Sequence, residues 1–362
     1  MLLPVLKDVL KKANNINPGL IEEVCIGNVL QPGAGAITSR IAQLLAGIPD
    51  CCPNHTINRQ CSSGLQAVAT IANQIAAGQI EIGIGGGVES MSNYSMMGQV
   101  DAENLSQHVF DHEQAQKCLI PMGITSENVA AKYGITREQQ DKMAFESHKK
   151  AAHANKMGWS QAEITPYKTI IKTKDDEEKE VLVDRDDGVR PNTTIEGLAK
   201  LKPAFKKGGS TTAGNSSQVS DGAAVVLLAK RSTAERLGLP IKGRFLSFAA
   251  AGCPPEIMGI GPAVAIPKAL KQTGLGIADI DVWEVNEAFA SQATYSVETL
   301  GIPYDKLNQR GGGIAIGHPL GATGARMIVT MFHELERLNK KYGVVSMCIG
   351  TGMGAAGIFE RE

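Results

Sequence analysis

A unit made of a strand, a turn of small residues, a buried helix and a second strand occurs twice in this chain. That repetition limits the architecture more than any other feature. In the first half, Cys61 precedes a helix, and a strand then ends in "GIGGGVES" (83–90). In the second half, "GGGIAIGHPLGATGAR" (311–326) leads into a helix, and a strand then ends in "SMCIGTGMG" (346–354). The runs 22–30, 80–88, 222–229 and 342–350 are rich in Val and Ile and read as buried strands. The segment from Ser62 to Gly78 holds five alanines with Leu65, Val68, Ile71 and Ile75, and is apolar nearly all round. Such a helix lies between layers, not on the surface. Strands alternating with helical patterns give an α/β class, with two equivalent layers set back to back.

At 362 residues the chain can bury two or three cores. A net charge of −1 removes any general case for nucleic acid or an anionic membrane as partner. No apolar run reaches the roughly 18 residues of a membrane span. The opening "MLLPVLKDVLKKANN" reads as an amphipathic helix and not as a signal peptide. The seven cysteines (25, 51, 52, 61, 118, 253, 348) form no CxxC pair and no zinc spacing with histidine, so no metal site is expected. Their odd, scattered placement suits free thiols in a reducing compartment.

The halves divide as 1–90 plus 220–240 and 241–362, with 91–219 as an insertion that caps the site. The insertion is polar and carries the acidic run "DDEEKEVLVDRDD" (175–187), expected to be a solvated hairpin. Its last stretch, 190–222, is rich in turns, hydroxyls and basic residues. It suits either a polar phosphorylated ligand or a plain surface loop.

Three motifs carry possible chemistry. Cys61, in "NRQCSSGLQA" (58–67), stands at a helix start, where free N–H groups and the helix dipole favour a thiolate. Taken alone, the motif favours a packed cysteine beside an N-capping Ser62 or Ser63. His318 lies between Gly317 and Pro319 at a strand-to-helix turn, with Pro319 expected at a first helical position. Cys348, in "CIGTGMG", ends a strand whose alternating glycines let backbone N–H groups face a ligand. A thiol, a histidine and a second thiol at matching turns suggest acyl transfer through a thioester. "EVNEAFASQA" (284–293) adds Asn286 and Glu287.

These motifs resemble the thiolase family, most closely its peroxisomal 3-ketoacyl-CoA type. The likeness runs nearly the whole chain, through "NRQCSSGLQAV", "GGVESMS", "CLIPMGITSENVA", "KPAFKKGGSTTAGNSSQVSDGAA", "NEAFASQA", "GHPLGATGAR" and "SMCIGTGMGAA". The resemblance implies a five-layered α-β-α-β-α duplicated fold with an inserted cap. It implies cleavage of 3-ketoacyl-CoA by CoA in fatty-acid β-oxidation, with Cys61 as the acylated nucleophile and His318 as its base. Cys348 would be the acid/base at the α-carbon of acetyl-CoA. Asn286 would hold a water in one oxyanion hole with His318, and the N–H groups of Cys61 and Gly350 would form the other. Ser217 would bond the pantetheine, Arg190 and Phe205 would lie near the nucleotide, and Met122, Met258 and Phe289 would line the substrate side. CoA is a co-substrate and no cofactor is implied. A homodimer is implied, with strands of the first half paired across a two-fold axis, and a peroxisomal setting. Cys118, in "KCLIPMG", lies in the cap, where pairing with Cys61 under oxidation would silence the nucleophile.

The chain departs from the family pattern in two places. The family's first strand, carrying an "RTP"-like motif, has no counterpart here, so a gap is expected inside the first sheet with unpaired groups on two neighbours. With it would go any N-terminal peroxisomal signal; "FERE" is no SKL-type signal, and the setting is cytoplasmic if the chain is complete. Gln309 and Arg310 replace a Val-Asn type of pair, with Arg310 suited to a loop. The alternatives are a biosynthetic acetoacetyl-CoA thiolase and a non-catalytic thiolase-like protein.

Overall fold

The apolar runs become strands of two four-stranded sheets, in a computed structural model that describes residues 1–96, 100–173 and 175–362. In chain order the strands are β1 (Glu23–Gly27), β2 (Asn54–Ile57), β3 (Ile82–Ser90), β4 (Tyr167–Lys172), β5 (Glu178–Val183), β6 (Asp221–Ala229), β7 (Gly243–Gly252), β8 (Val282–Val285), β9 (Tyr342–Ile349) and β10 (Met353–Arg361). The first sheet has the order β2-β1-β3-β6 and the second β7-β10-β9-β8.

The duplication is visible in the pairing. β1 runs parallel to β3, and β3 antiparallel to β6; β8 runs parallel to β9, and β9 antiparallel to β10. Where β2 flanks β1, Leu307 makes a single parallel bridge to Trp283 of β8. The symmetry ends on the other side. β10 is flanked by β7 as well as β9, whereas β6 pairs with β3 alone among the described residues. The gap expected inside the first sheet is therefore at its edge, because β1 and β3 are each paired on both sides and β6 is an outer strand. β6 is mostly half-buried where β10 is nearly all buried, and a cavity of about 1450 Å³ runs beside it.

Helices complete five layers. The Leu2–Lys12 helix sets Leu2, Leu6 and Leu10, at i, i+4 spacing, against Val24, Ile26, Ile82 and Ile84 of the first sheet. The Ser63–Ala76 and Thr323–Leu338 helices lie between the sheets, with Leu65, Val68, Met327 and Met331 meeting Val345 and Met347. They cross closely because Gly324 has no side chain: a Cβ there would come 2.4 Å from the backbone nitrogen of Leu65. The Gly261–Thr273 and Ala290–Leu300 helices cover the far face of the second sheet, burying Ile266, Leu270 and Val297 around Trp283.

Within 91–219 are the Met122–Tyr133 and Arg137–Lys156 helices, the latter begun by a Thr136/Gln139 capping box. The acidic run supplies β5, paired antiparallel with β4 in a largely exposed hairpin that carries a Lys168–Glu180 ion pair.

Candidate active site

The turn before the first central helix is built from its own side chains. Gln60 takes a positive φ, its N–H donates to Asn58 Oδ1, and Ser63 Oγ donates to the Gln60 carbonyl while accepting from the Arg59 N–H. The helix begins at Ser63, two residues after Cys61, and Ser62 makes no side-chain cap. Cys61 is half-buried, packed with Val29, Leu30, Leu320 and Met91. Burial pushes its thiol up to about 11; the N–H groups of Gly350 and of Cys61 itself pull it down, and Glu89 pushes it up. The thiolate expected from the helix start is thus not the resting form, because loss of solvation outweighs the two N–H groups. Gln60, the residue before Cys61, lies 3.8 Å from the point where a Cβ of Gly350 would stand.

His318 sits in a turn between the short Gly313–Ile316 helix and the second central helix, and is 4% exposed. Pro319 is not the first helical residue. The helix starts at Thr323, and the Pro319 carbonyl instead closes the turn by accepting the N–H groups of Ala322 and Thr323. The ring nitrogen Nε2 lies 3.3 Å from Asn286 Nδ2, and Nδ1 lies 2.6 Å from Thr323 Oγ1. Burial, with the Arg326 charge, lowers the imidazole to about 3, so the ring is neutral at rest.

Cys348 is the next-to-last residue of β9 and is fully buried. Burial, then the Cys61 and Cys253 thiols, raise it well above the ordinary thiol value. Cys348 packs with Met258, Ala288, Met122 and Phe289 in one apolar cluster. Gly350 follows it closely, with Met122 Sδ 3.7 Å from the point where a Cβ would stand.

The residues assigned to CoA are less concentrated. Phe205 stands edge-on to Phe289 with ring centroids 6.0 Å apart, so it joins the substrate-side cluster. The Ser217 N–H donates to the Ala288 carbonyl, which places it on the same strip of backbone. Arg190 is elsewhere: its N–H donates to His148 Nδ1, and it borders a cavity of about 210 Å³ with Thr194 and Gln218 that Phe205 does not line. Cys118 is a free thiol whose sulfur is 3.8 Å from the Thr351 carbonyl, beside the turn after Cys348.

Glu89 and Thr323 build the site without a motif of their own. Glu89, at the end of β3, is fully buried and accepts from the N–H groups of Val29, Leu30 and Gly321 and from Asn28 Nδ2. The one hint was a carboxylate directly after the glycines of "GGGVES". Thr323 gave no signal. Glu287, named with Asn286 in the sequence, is bound by Ser147 Oγ and Asn308 Nδ2, which makes it a brace for the 308–314 loop. Arg310, expected in a loop, is buried: it donates to Glu334 and to the Trp159 carbonyl.

With this geometry in view, comparison with known proteins gives one answer. The model of the thiolase N-terminal domain matches residues 1–232, and that of the thiolase C-terminal domain matches 239–361. The chain is 58% identical to the peroxisomal 3-ketoacyl-CoA thiolase of Homo sapiens, over 98% of this chain and 82% of that protein. Against the peroxisomal 3-ketoacyl-CoA thiolase of Yarrowia lipolytica it is 56% identical, over 100% of this chain and 87% of that protein. The crystal structure of the dimeric peroxisomal thiolase of Saccharomyces cerevisiae has a TM-score of 0.89 at 51% identity, covering 100% of this chain and 90% of the other. Human mitochondrial 3-ketoacyl-CoA thiolase in complex with CoA has a TM-score of 0.87 at 37% identity, covering 99% and 91%.

Proposed function

Because the chain belongs to the thiolase family, we propose that it is an acyltransferase that cleaves 3-ketoacyl-CoA with CoA, releasing acetyl-CoA and a shortened acyl-CoA, by way of a thioester on Cys61. The observation that carries this reading is the meeting of three turns: Gln60, beside Cys61, comes within 3.8 Å of the Cβ position of Gly350, Cys61 packs with Leu320 of the His318 turn, and Asn286 Nδ2 lies 3.3 Å from His318 Nε2.

The resting groups are all neutral, so the proton leaves Cys61 as its sulfur bonds to the substrate's β-carbonyl carbon, and passes to His318 Nε2. The bond between the α and β carbons then breaks and its electron pair forms the enolate of acetyl-CoA. That oxygen needs donors already in place, each worth about 3–4 kcal/mol at the transition state. Asn286 and His318, with a water that Asn286 would hold, serve one oxyanion, and Cys61 and Gly350 N–H serve the other. Asn286 Oδ1 is buried with no protein partner among the described residues, which suits it to accept from such a water. Cys348 protonates the enolate carbon, and its apolar surroundings keep the thiol neutral until that moment. The proton held by His318 returns to Cys348; CoA then gives its thiol proton to His318 as its sulfur takes the acyl group, and His318 passes that proton to the departing Cys61 sulfur. The scheme uses only this chain's groups and CoA. Met122, Met258 and Phe289 would face the acyl substrate, Phe205 and Ser217 the pantetheine arm, and Arg190 the charged end.

The decisive experiment is mass spectrometry of the intact protein after brief exposure to a long-chain 3-ketoacyl-CoA. One acyl adduct on Cys61, discharged by CoA, is the expected result; folded protein that takes no adduct overturns the reading. Faster turnover of the long-chain substrate than of acetoacetyl-CoA separates this role from a biosynthetic one. The relatives also support a peroxisomal setting and a homodimer, for which light scattering should give about twice 38.3 kDa; strands of the first half would pair across its two-fold axis.

A further inference from the structure

We propose that Thr323 is a positioning residue: its hydroxyl holds His318 as the Nδ1–H tautomer and so presents Nε2 as a bare acceptor for the Cys61 proton. The role assigned to Nε2 rests on the thiolase reading; the tautomer itself does not.

Thr323 Oγ1 lies 2.6 Å from His318 Nδ1 and 2.9 Å from the Pro319 carbonyl oxygen. A hydroxyl has one proton to give, and a carbonyl oxygen can only accept. If Thr323 gave its proton to Nδ1, two oxygens would face each other at 2.9 Å with no hydrogen between them. If it gives the proton to Pro319, Nδ1 must carry its own and donate it to Oγ1. Both contacts are then bonds. Asn286 Nδ2, 3.3 Å from Nε2, donates to the lone pair left on that nitrogen, so the third contact is satisfied in the same assignment.

The fold keeps this arrangement in place. Thr323 is fully buried at the start of the second central helix, and Pro319 is fixed by accepting the N–H groups of Ala322 and Thr323 as well. The charged group acting on the ring is Arg326, one turn further along that helix. Among the described residues no carboxylate contacts Nδ1, so the tautomer depends on a neutral hydroxyl. A neutral partner orients the ring without favouring the imidazolium before substrate arrives. Replacing the hydroxyl by a methyl leaves Pro319 its two backbone donors but leaves an Nδ1–H unpaired. With the Asn286 amide turned so that its unpartnered Oδ1 faces the ring, the proton gains an acceptor by moving to Nε2, where the nitrogen can no longer receive one from Cys61.

Neutron diffraction from deuterated, unliganded wild-type crystals tests the tautomer directly. Deuterium on Nδ1 and none on Nε2 is the expected density; the reverse overturns the proposal. Kinetics test the consequence. Thr323→Val should slow Cys61 acylation by about 10²-fold or more at nearly unchanged KM, the scale of a lost acid/base contribution. Thr323→Ser, which keeps the hydroxyl, should stay within about threefold of wild type, well short of that loss. Acylation by Thr323→Val at the wild-type rate, or an equal loss in a well-folded Thr323→Ser, overturns the proposal. If the valine variant does not fold, the neutron density and the serine variant decide. If wild type is never acylated, the thiolase reading fails while the density still reports the tautomer.

Discussion

Glu89 Oε2 accepts the backbone N–H of Gly321 at 3.0 Å, joining residues 232 positions apart in the chain. The same carboxylate holds Val29, Leu30 and Asn28, so one buried side chain ties the loop after β1, the end of β3 and the turn that carries His318. Glu89→Gln puts an NH₂ where an acceptor faces backbone donors. The loss of stability should be about 1–3 kcal/mol, the scale for a buried polar group left unpaired. kcat should fall with it as the His318 turn moves. Urea unfolding and steady-state kinetics check both, and a glutamine variant with wild-type kcat would remove Glu89 from any part in placing His318.

A second prediction concerns the substrate side. A Cβ on Gly123 would lie 2.2 Å from the Phe205 ring, so the ring occupies its place only because that helix position is bare. Gly to Ala within a helix is ordinarily favourable by up to about 1 kcal/mol. Here it should displace a ring that is 45% exposed and free to swing. Gly123→Ala and Phe205→Ala should therefore raise the KM for CoA to a similar degree, with little change in melting temperature. A raised KM in Phe205→Ala alone would show that the ring does not depend on Gly123.

The third concerns pH. Burial raises Glu284 to about 8 from 4.5; Arg326 opposes this and Glu163, Glu334 and Glu287 add to it. The folded state thus keeps a proton that the unfolded chain has already released. Stability from this group is full below pH 4.5 and is lost as pH rises toward 8. Glu163, raised to about 7, acts in the same direction over an overlapping range. Glu284→Gln cannot ionise, so its urea midpoint should fall less than that of wild type between pH 5 and pH 9. Parallel curves for the two proteins would contradict the assignment.

The layers and the placing of Cys61, His318 and Cys348 were legible because they rest on local pattern. Apolar period and small residues at turns survive into the fold, as the central helices at Ser63 and Thr323 show. What failed depends on contacts between distant segments. Thr323 looks like any helix residue until His318 is folded onto it, and Glu89 has no meaning without Gly321. The ionisation of Cys61 is likewise decided by distant segments. A helix start favours a thiolate locally, but burial by both halves decides the balance. The open edge of β6 was likewise misplaced until strand order was known.

The two thiols can be separated by what each half of the reaction demands. Transfer of an acyl group between CoA and Cys61 makes and breaks only carbon–sulfur bonds, so no proton moves at the α-carbon. Cleavage of the 3-ketoacyl chain also needs a proton delivered to the enolate carbon, and Cys348 is the thiol packed against the substrate cluster. Cys348→Ala should lower cleavage by about 10²–10⁴-fold, the usual worth of a positioned acid. Exchange of labelled CoA into a saturated acyl-CoA should continue near the wild-type rate. Cys61→Ala should abolish both. Loss of exchange in a well-folded Cys348→Ala would mean that the second thiol acts at the nucleophile and not at the α-carbon, and the division of roles would have to be redrawn.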